Sequence, residues 1–261
     1  MGRIPIVLAL LVATAAAEAE DIVILPTRGE VSQSYLLSSP PAGKARAVAV
    51  LFPGGAGNVH LEREAARALL DQGNYLVRSR RLFTGSGIVA AVMDAPSDHS
   101  RGMEDEFRLG GAHAEDVGRV VADLRRRFPG LPVFLVGTSS GTISAASAGR
   151  RLGSAVDGVV LSATVFIANR RRPGLSGFDF ASIPVPLLFV HHVDDGCATT
   201  PYTEAKRLAD RYPVISVSGG PPPQSKPCEG MSAHGFLGRE ADTVDAIAGW
   251  MLKQPYPREI N

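Results

Sequence analysis

Residues 132–149 read PVFLVGTSSGTISAASAG, and this stretch sets two adjacent serines, Ser139 and Ser140, between Gly137 and Gly141. The apolar run Val133, Phe134, Leu135, Val136 enters it as a buried strand does, and a segment of small residues over 143–151 leaves it as a helix does. Glycines at such a junction serve either a plain turn or a sharp strand-to-helix bend that holds a nucleophile clear of the chain. The frame decides between the serines. Gly137-Thr138-Ser139-Ser140-Gly141 fits G-x-S-x-G around Ser139, whereas Ser140 would need glycine where Thr138 and Thr142 stand. Ser139 is therefore the candidate nucleophile.

Outward from that bend, strands alternate with helices. Residues 45–52 form a continuous apolar run suited to a sheet covered on both faces, and residues 88–94 (IVAAVMD) form another. Val117, Val120, Val121 and Leu124 recur at helical spacing with charges between them. Further strands are expected in VDGVVLSAT, VPLLFVHHVDD and YPVISVSGG, with helices over 202–211 and around Val244, Ile247, Ala248 and Met251. This order predicts an α/β fold, a mostly parallel central sheet with helices on both faces. No strong linker divides it, so residues 20–261 are read as one domain.

The 261 residues are 45% apolar and 20% charged, enough for a packed core. A net charge of +1 gives no electrostatic case for a nucleic-acid or anionic-membrane partner. The short arginine groups Arg78/Arg80/Arg81, Arg125/Arg126/Arg127 and Arg170/Arg171/Arg172 read as solvated faces. The opening segment MGRIPIVLALLVATAAAEAE carries Arg3, an apolar run too short to span a bilayer, and small residues offering A-x-A at 15–17 or 17–19. It reads as a signal peptide over 1–19, with export to a periplasmic or extracellular compartment and no membrane contact after its removal. Cys197 and Cys228 are the two cysteines, and an exported chain can oxidise them to a disulfide.

A serine hydroxyl needs a general base, and the base needs an orienting acid. Asp194 and Asp195 follow a buried strand, and His234 lies in a loop between the last expected strand and the last helix. Ser, then Asp, then His is one of the chain orders in which such triads occur. With LFPGGAG, VGTSSGT, HHVDDGC and SAHGF in place, the chain from about residue 45 to 252 resembles an α/β-hydrolase, nearest to small esterases and dienelactone-hydrolase-like enzymes. The resemblance implies a strand end of the form HGxxD for the acid, which selects Asp195 over Asp194, with His192 standing where glycine is usual. It also implies an oxyanion hole from the N–H of Ser140 and a backbone N–H of the FPGGAG loop, Gly55 ahead of Ala56. Pro53 occupies a position where many relatives carry histidine.

The expected activity is an exported serine hydrolase that cleaves carboxylic esters through an acyl-enzyme, without metal or organic cofactor. The stretch between GVVLSAT and VPLLFV is loop-sized, so no large cap domain is expected and the site is open to a small-molecule or polymer ester. Amidase, peptidase or thioesterase chemistry on the same triad is the enzymatic alternative, because one scaffold hosts many reactions. A noncatalytic binding protein on the same scaffold is the alternative from another class. Zinc at His99, His113 and the His191/His192 pair lacks the usual ligand spacing. Nothing in the sequence bears on oligomeric state.

Overall fold

The computed structural model describes residues 19–61, 73–169 and 172–261, so the signal-peptide reading lies, apart from Ala19, outside the described residues. Nine strands form one sheet: β1 (Ala19–Pro26), β2 (Ser32–Ser39), β3 (Ala47–Phe52), β4 (Ile88–Met93), β5 (Val133–Thr138), β6 (Gly158–Ser162), β7 (Leu187–His192), β8 (Val214–Val217) and β9 (Glu259–Ile260). Their spatial order is β1-β2-β4-β3-β5-β6-β7-β8-β9. The pairs β1/β2 and β2/β4 are antiparallel, and every later pair is parallel. The expected α/β architecture is present, with an antiparallel hairpin added at one edge and the two-residue β9 at the other.

The apolar strands alternate their loads between the faces. Val48, Val50 and Phe52 of β3 join one core with Val117, Val120, Val121 and Leu124 of the helix Gly111–Arg127 and Ile143 of the helix Gly141–Leu152. Ala47, Ala49 and Leu51 join the other core with Val244, Ile247 and Met251 of the helix Glu240–Met251. Because side chains of a strand alternate in direction, a run with no polar residue requires cover on both sides. No large cap is inserted among the described residues between β6 and β7, where the chain makes turns and the short helix Phe180–Ser182.

Two members of the first arginine group, Arg78 and Arg80, depart from the solvated face expected of them, while Arg81 is exposed. Arg80 is only 2% exposed and pairs with Glu20 at 2.8 Å. Arg78 pairs with Glu240 at 2.8 Å and donates to the carbonyls of Gly73 and Gly235. Both arginines lie where β1 and the helix Glu240–Met251 close over the two short helices Tyr75–Arg78 and Arg80–Gly85. A run of arginine in sequence does not show which members meet a distant carboxylate. The Arg125 group behaves as expected, with partly exposed pairs to Asp157 and Asp123.

His113 packs between Phe52 and Phe107, and neither ring nitrogen has a partner among the described residues. Burial, reinforced by Arg108 and Arg28, pushes it down to about 3 from an ordinary 6.5. The unfolded chain therefore takes up the proton first on acidification. The stability associated with the neutral ring is complete above about pH 6.5 and falls as the pH drops toward 3, by about 1.4 kcal/mol per pH unit. Urea unfolding of His113→Leu between pH 6 and 4 should show a pH slope shallower by about that amount. Parallel slopes for the two proteins would show that His113 is protonated in the folded state.

Candidate active site

Ser139 stands where β5 turns into the helix Gly141–Leu152, and its backbone is left-handed, with φ +52°. That conformation is costly for a residue with a side chain and persists only when its surroundings enforce it. The enforcing contacts are visible. A Cβ on Gly137 would lie 2.5 Å from the Gly141 carbonyl oxygen, and one on Gly141 would lie 2.0 Å from that of Phe52. Ser139 N–H donates to Ser162 O at 3.0 Å, and Ser139 O accepts from Thr142 N–H at 2.8 Å and its hydroxyl at 2.6 Å. The bend is thus packed against β3 below and tied to β6 beside it.

Asp195 and His234, the expected acid and base, come from segments after β7 and β8. β7 ends at His192, and the next turn places Asp195 with its carboxylate fully buried. Asp195 Oδ1 accepts from Cys197 N–H at 2.9 Å, and Oδ2 accepts from the Thr200 hydroxyl at 2.8 Å. His234 Nδ1 lies 3.0 Å from Oδ2 and 3.3 Å from Oδ1. Since an ionised carboxylate only accepts, Nδ1 carries the ring proton and Nε2 is left as an acceptor. Nε2 is buried and has no partner among the described residues. His234 and Ser139 line the same cleft, of about 240 Å³, with Gly54, Gly55, Asn74 and Glu229. Asp194 is exposed and does not reach His234; its N–H donates to His192 Nδ1 at 3.1 Å.

The glycine loop after β3 forms the opposite wall. Gly57 N–H closes a turn onto Gly54 O at 3.3 Å, and Gly55 within it has φ +64°. The side-chain-free edge matters, because a Cβ on Gly54 would lie 2.9 Å from Ser139 Cβ. The N–H groups of Gly55 and Ser140 donate to nothing among the described residues. Ala56, the other candidate of this loop, does not line the cleft, and its carbonyl accepts from Met103 N–H at 2.9 Å. Two buried groups brace the turn. Arg108 donates to Gly55 O and to Ser144 Oγ, each at 3.0 Å, and burial pushes its guanidinium down to about 10. Asp94 accepts from the N–H groups of Val59, His60, Leu61 and Ala95.

The remaining histidines are occupied elsewhere. His192 donates through Nε2 to Gly219 O at 2.9 Å while Nδ1 accepts from Asp194 N–H, which fixes the strand end where glycine is usual in the family pattern. His191 Nε2 accepts from Thr164 N–H at 3.0 Å, and burial pushes the ring down to about 3. His99 stacks on Phe107 and contacts Asp98 at 3.0 Å. Among the described residues no three His, Cys, Asp or Glu side chains are arranged to hold a metal ion.

A sequence-family model described as serine aminopeptidase, S33, matches residues 84–211. Solved structures align over most of their own length and most of this chain. Est1E from Butyrivibrio proteoclasticus is 12% identical, with a TM-score of 0.59 over 89% of this chain and 98% of that one. A dienelactone hydrolase from Anabaena variabilis is 15% identical, with a TM-score of 0.57 over 90% and 96%. An α/β serine hydrolase without lid from Xanthomonas campestris is 12% identical, with a TM-score of 0.57 over 90% and 92%. The chain has the α/β-hydrolase fold. No curated protein sequence matches it.

Several residues of this cleft escaped the sequence reading. Thr200 shares Asp195 Oδ2 and lies 3.2 Å from His234 Nδ1, yet nothing in DDGCATTP separates it from Thr199. Arg78, Asn74 and Arg108 are likewise visible only in three dimensions. The cysteines do pair, and the Cys197–Cys228 disulfide joins the acid-bearing turn to the loop that leads to His234. It closes a loop of 31 residues, for which the chain-entropy model gives about 3–4 kcal/mol. Cys197→Ala/Cys228→Ala should accordingly lower the urea-unfolding free energy by about 3 kcal/mol. Equal midpoints and slopes for the two proteins would count against any stabilising role for the bridge.

Proposed function

We propose that the protein is an exported serine hydrolase that cleaves carboxylic esters through an acyl-enzyme on Ser139. The observation that carries this reading is the pairing of His234 Nδ1 with the buried Asp195 carboxylate, which leaves Nε2 as an acceptor in the cleft that Ser139 lines. Ser139 Oγ attacks the ester carbonyl as its proton passes to His234 Nε2. The tetrahedral oxyanion is met by the N–H groups of Gly55 and Ser140, and the imidazolium is stabilised by Asp195. Collapse expels the alcohol, which takes the proton from Nε2. A water then gives its proton to Nε2 and attacks the acyl carbon, and the carboxylic acid leaves with Ser139 restored. No step draws on a metal or organic cofactor.

Two features bear on substrate and compartment. The cleft is small, rich in glycine and uncapped among the described residues, which favours a short acyl group on a small molecule or an accessible polymer. Glu229 at its rim places a carboxylate there and disfavours anionic substrates. The disulfide supports an oxidising compartment, periplasmic or extracellular. Peptide or amide cleavage is the second reading, favoured by the serine aminopeptidase model that matches residues 84–211.

Fluorophosphonate labelling of purified oxidised protein tests the mechanism. Ser139→Ala should abolish labelling and Ser140→Ala should retain it, whereas undiminished labelling of Ser139→Ala would exclude Ser139 as nucleophile. A p-nitrophenyl ester and a p-nitroanilide of the same short acyl group then separate the readings. Faster turnover of the ester, beyond the ratio of the uncatalysed rates, is expected. A preference for the anilide on that scale would move the assignment to an amidase or peptidase.

A further inference from the structure

Asn74 lies beside the nucleophile, and the hydrolase chemistry proposed above leaves it unused. It precedes the short helix Tyr75–Arg78, and its Oδ1 accepts from Leu76 N–H at 3.1 Å. That bond settles which end of the amide is oxygen, because only oxygen can accept it. Nδ2 consequently turns away from the helix, and it donates to nothing among the described residues. The glycine wall places it close to Ser139: a Cβ on Gly54 would lie 2.9 Å from Ser139 Cβ and 3.4 Å from Asn74 Nδ2. Asn74 also lines the same cleft as Ser139, Gly55 and His234.

The backbone that carries the amide is itself braced. Asn74 O accepts from Arg78 N–H at 3.0 Å, and the carbonyl of its neighbour Gly73 accepts from the Arg78 guanidinium. The Gly73 carbonyl packs so closely on Gly230 that a Cβ there would lie 2.0 Å from it. A donor held by its own cap, with the next peptide clamped by an arginine, needs no reorganisation when charge develops beside it. Preorganised donors of this kind contribute most to stabilising an oxyanion.

We propose that Asn74 is a further catalytic residue, whose Nδ2–H donates a hydrogen bond to the oxyanion formed on Ser139, alongside the N–H groups of Gly55 and Ser140. The inference rests on the serine-hydrolase reading. A two-part substitution separates this role from the cap. Asn74→Ser keeps an oxygen able to cap Leu76 and takes away the longer amide's Nδ2–H, since the short hydroxyl stays at the cap, whereas Asn74→Ala removes both.

The measurement is the second-order rate of labelling by a fluorophosphonate, whose P=O oxygen takes the oxyanion position, together with thermal unfolding of each oxidised protein. Asn74→Ser should unfold at the same temperature as the parent and label about 100-fold more slowly, the scale of losing one oxyanion donor. Asn74→Ala should label as slowly and unfold earlier. Labelling of Asn74→Ser within about three-fold of the parent would overturn the proposal, since a working donor is worth far more than that. So would slow labelling confined to Asn74→Ala, which would assign Asn74 to the cap alone. Failure of the underlying reading looks different: either the parent does not label, or Ser139→Ala labels as the parent does, and both proposals then fall.

Discussion

The site depends on one close approach, the crossing of the β5-to-helix bend over the end of β3. Gly141 comes so near Phe52 that a methyl group would overlap the carbonyl oxygen at 2.0 Å. Parallel pairing of β3 with β5, with Phe52 opposite Gly137, sets the two chain segments side by side at the carboxyl end of the sheet. The bend must then rise at once into its helix, and Ser139 absorbs the turn in a left-handed conformation. The same crowding positions the glycine loop that leaves β3, whose Gly54 touches Ser139. Ser139 and the glycine wall facing it are therefore placed by one steric event.

Buried carboxylates fix the loops that this crossing does not reach. Asp94 gathers four backbone N–H groups and so shapes the far end of the glycine loop. Asp195 is satisfied by Cys197 N–H and the Thr200 hydroxyl before it meets His234. A buried charge with several donors is stabilised, and removing it would leave those donors unpaired. Against this background three unpaired groups gather at one place. His234 Nε2 and the N–H groups of Gly55 and Ser140 all belong to the neighbourhood of Ser139.

Much of the fold was legible because its strands carry unbroken apolar runs and its helix Gly111–Arg127 a regular stripe. Both patterns are local in sequence and follow from burial on two faces or one. The bend at Ser139 was legible for the same reason, since its glycines answer to contacts within a few residues and to one strand end. Asp195 was reached through family resemblance, and His192, which departs from that pattern, proves to brace the turn through both ring nitrogens. What stayed hidden was contact between distant segments. Arg78 meets Glu240 across 162 residues, and Arg80 meets Glu20 across 60, so neither could be told from a solvated arginine. Thr200 and Asn74 are polar residues in turns, where such residues are ordinary.

The loop that carries His234 shows why those distant contacts are needed. Between β8 and the helix Glu240–Met251 the chain has one short helical turn, Ala233–Gly235, and a proline-rich run before it. Ordering each residue of such a segment costs about 1–2 kcal/mol of backbone entropy, with no long ladder of hydrogen bonds to offset it. Two clamps hold it instead. The disulfide fastens Cys228 to the Asp195 turn, and Arg78 fastens Gly235 to Gly73 and Glu240. They act on the two sides of His234 along the chain, so the imidazole is held between Asp195 and the wall that carries Asn74. A loop with a single clamp could pivot about it; two clamps leave the ring one orientation.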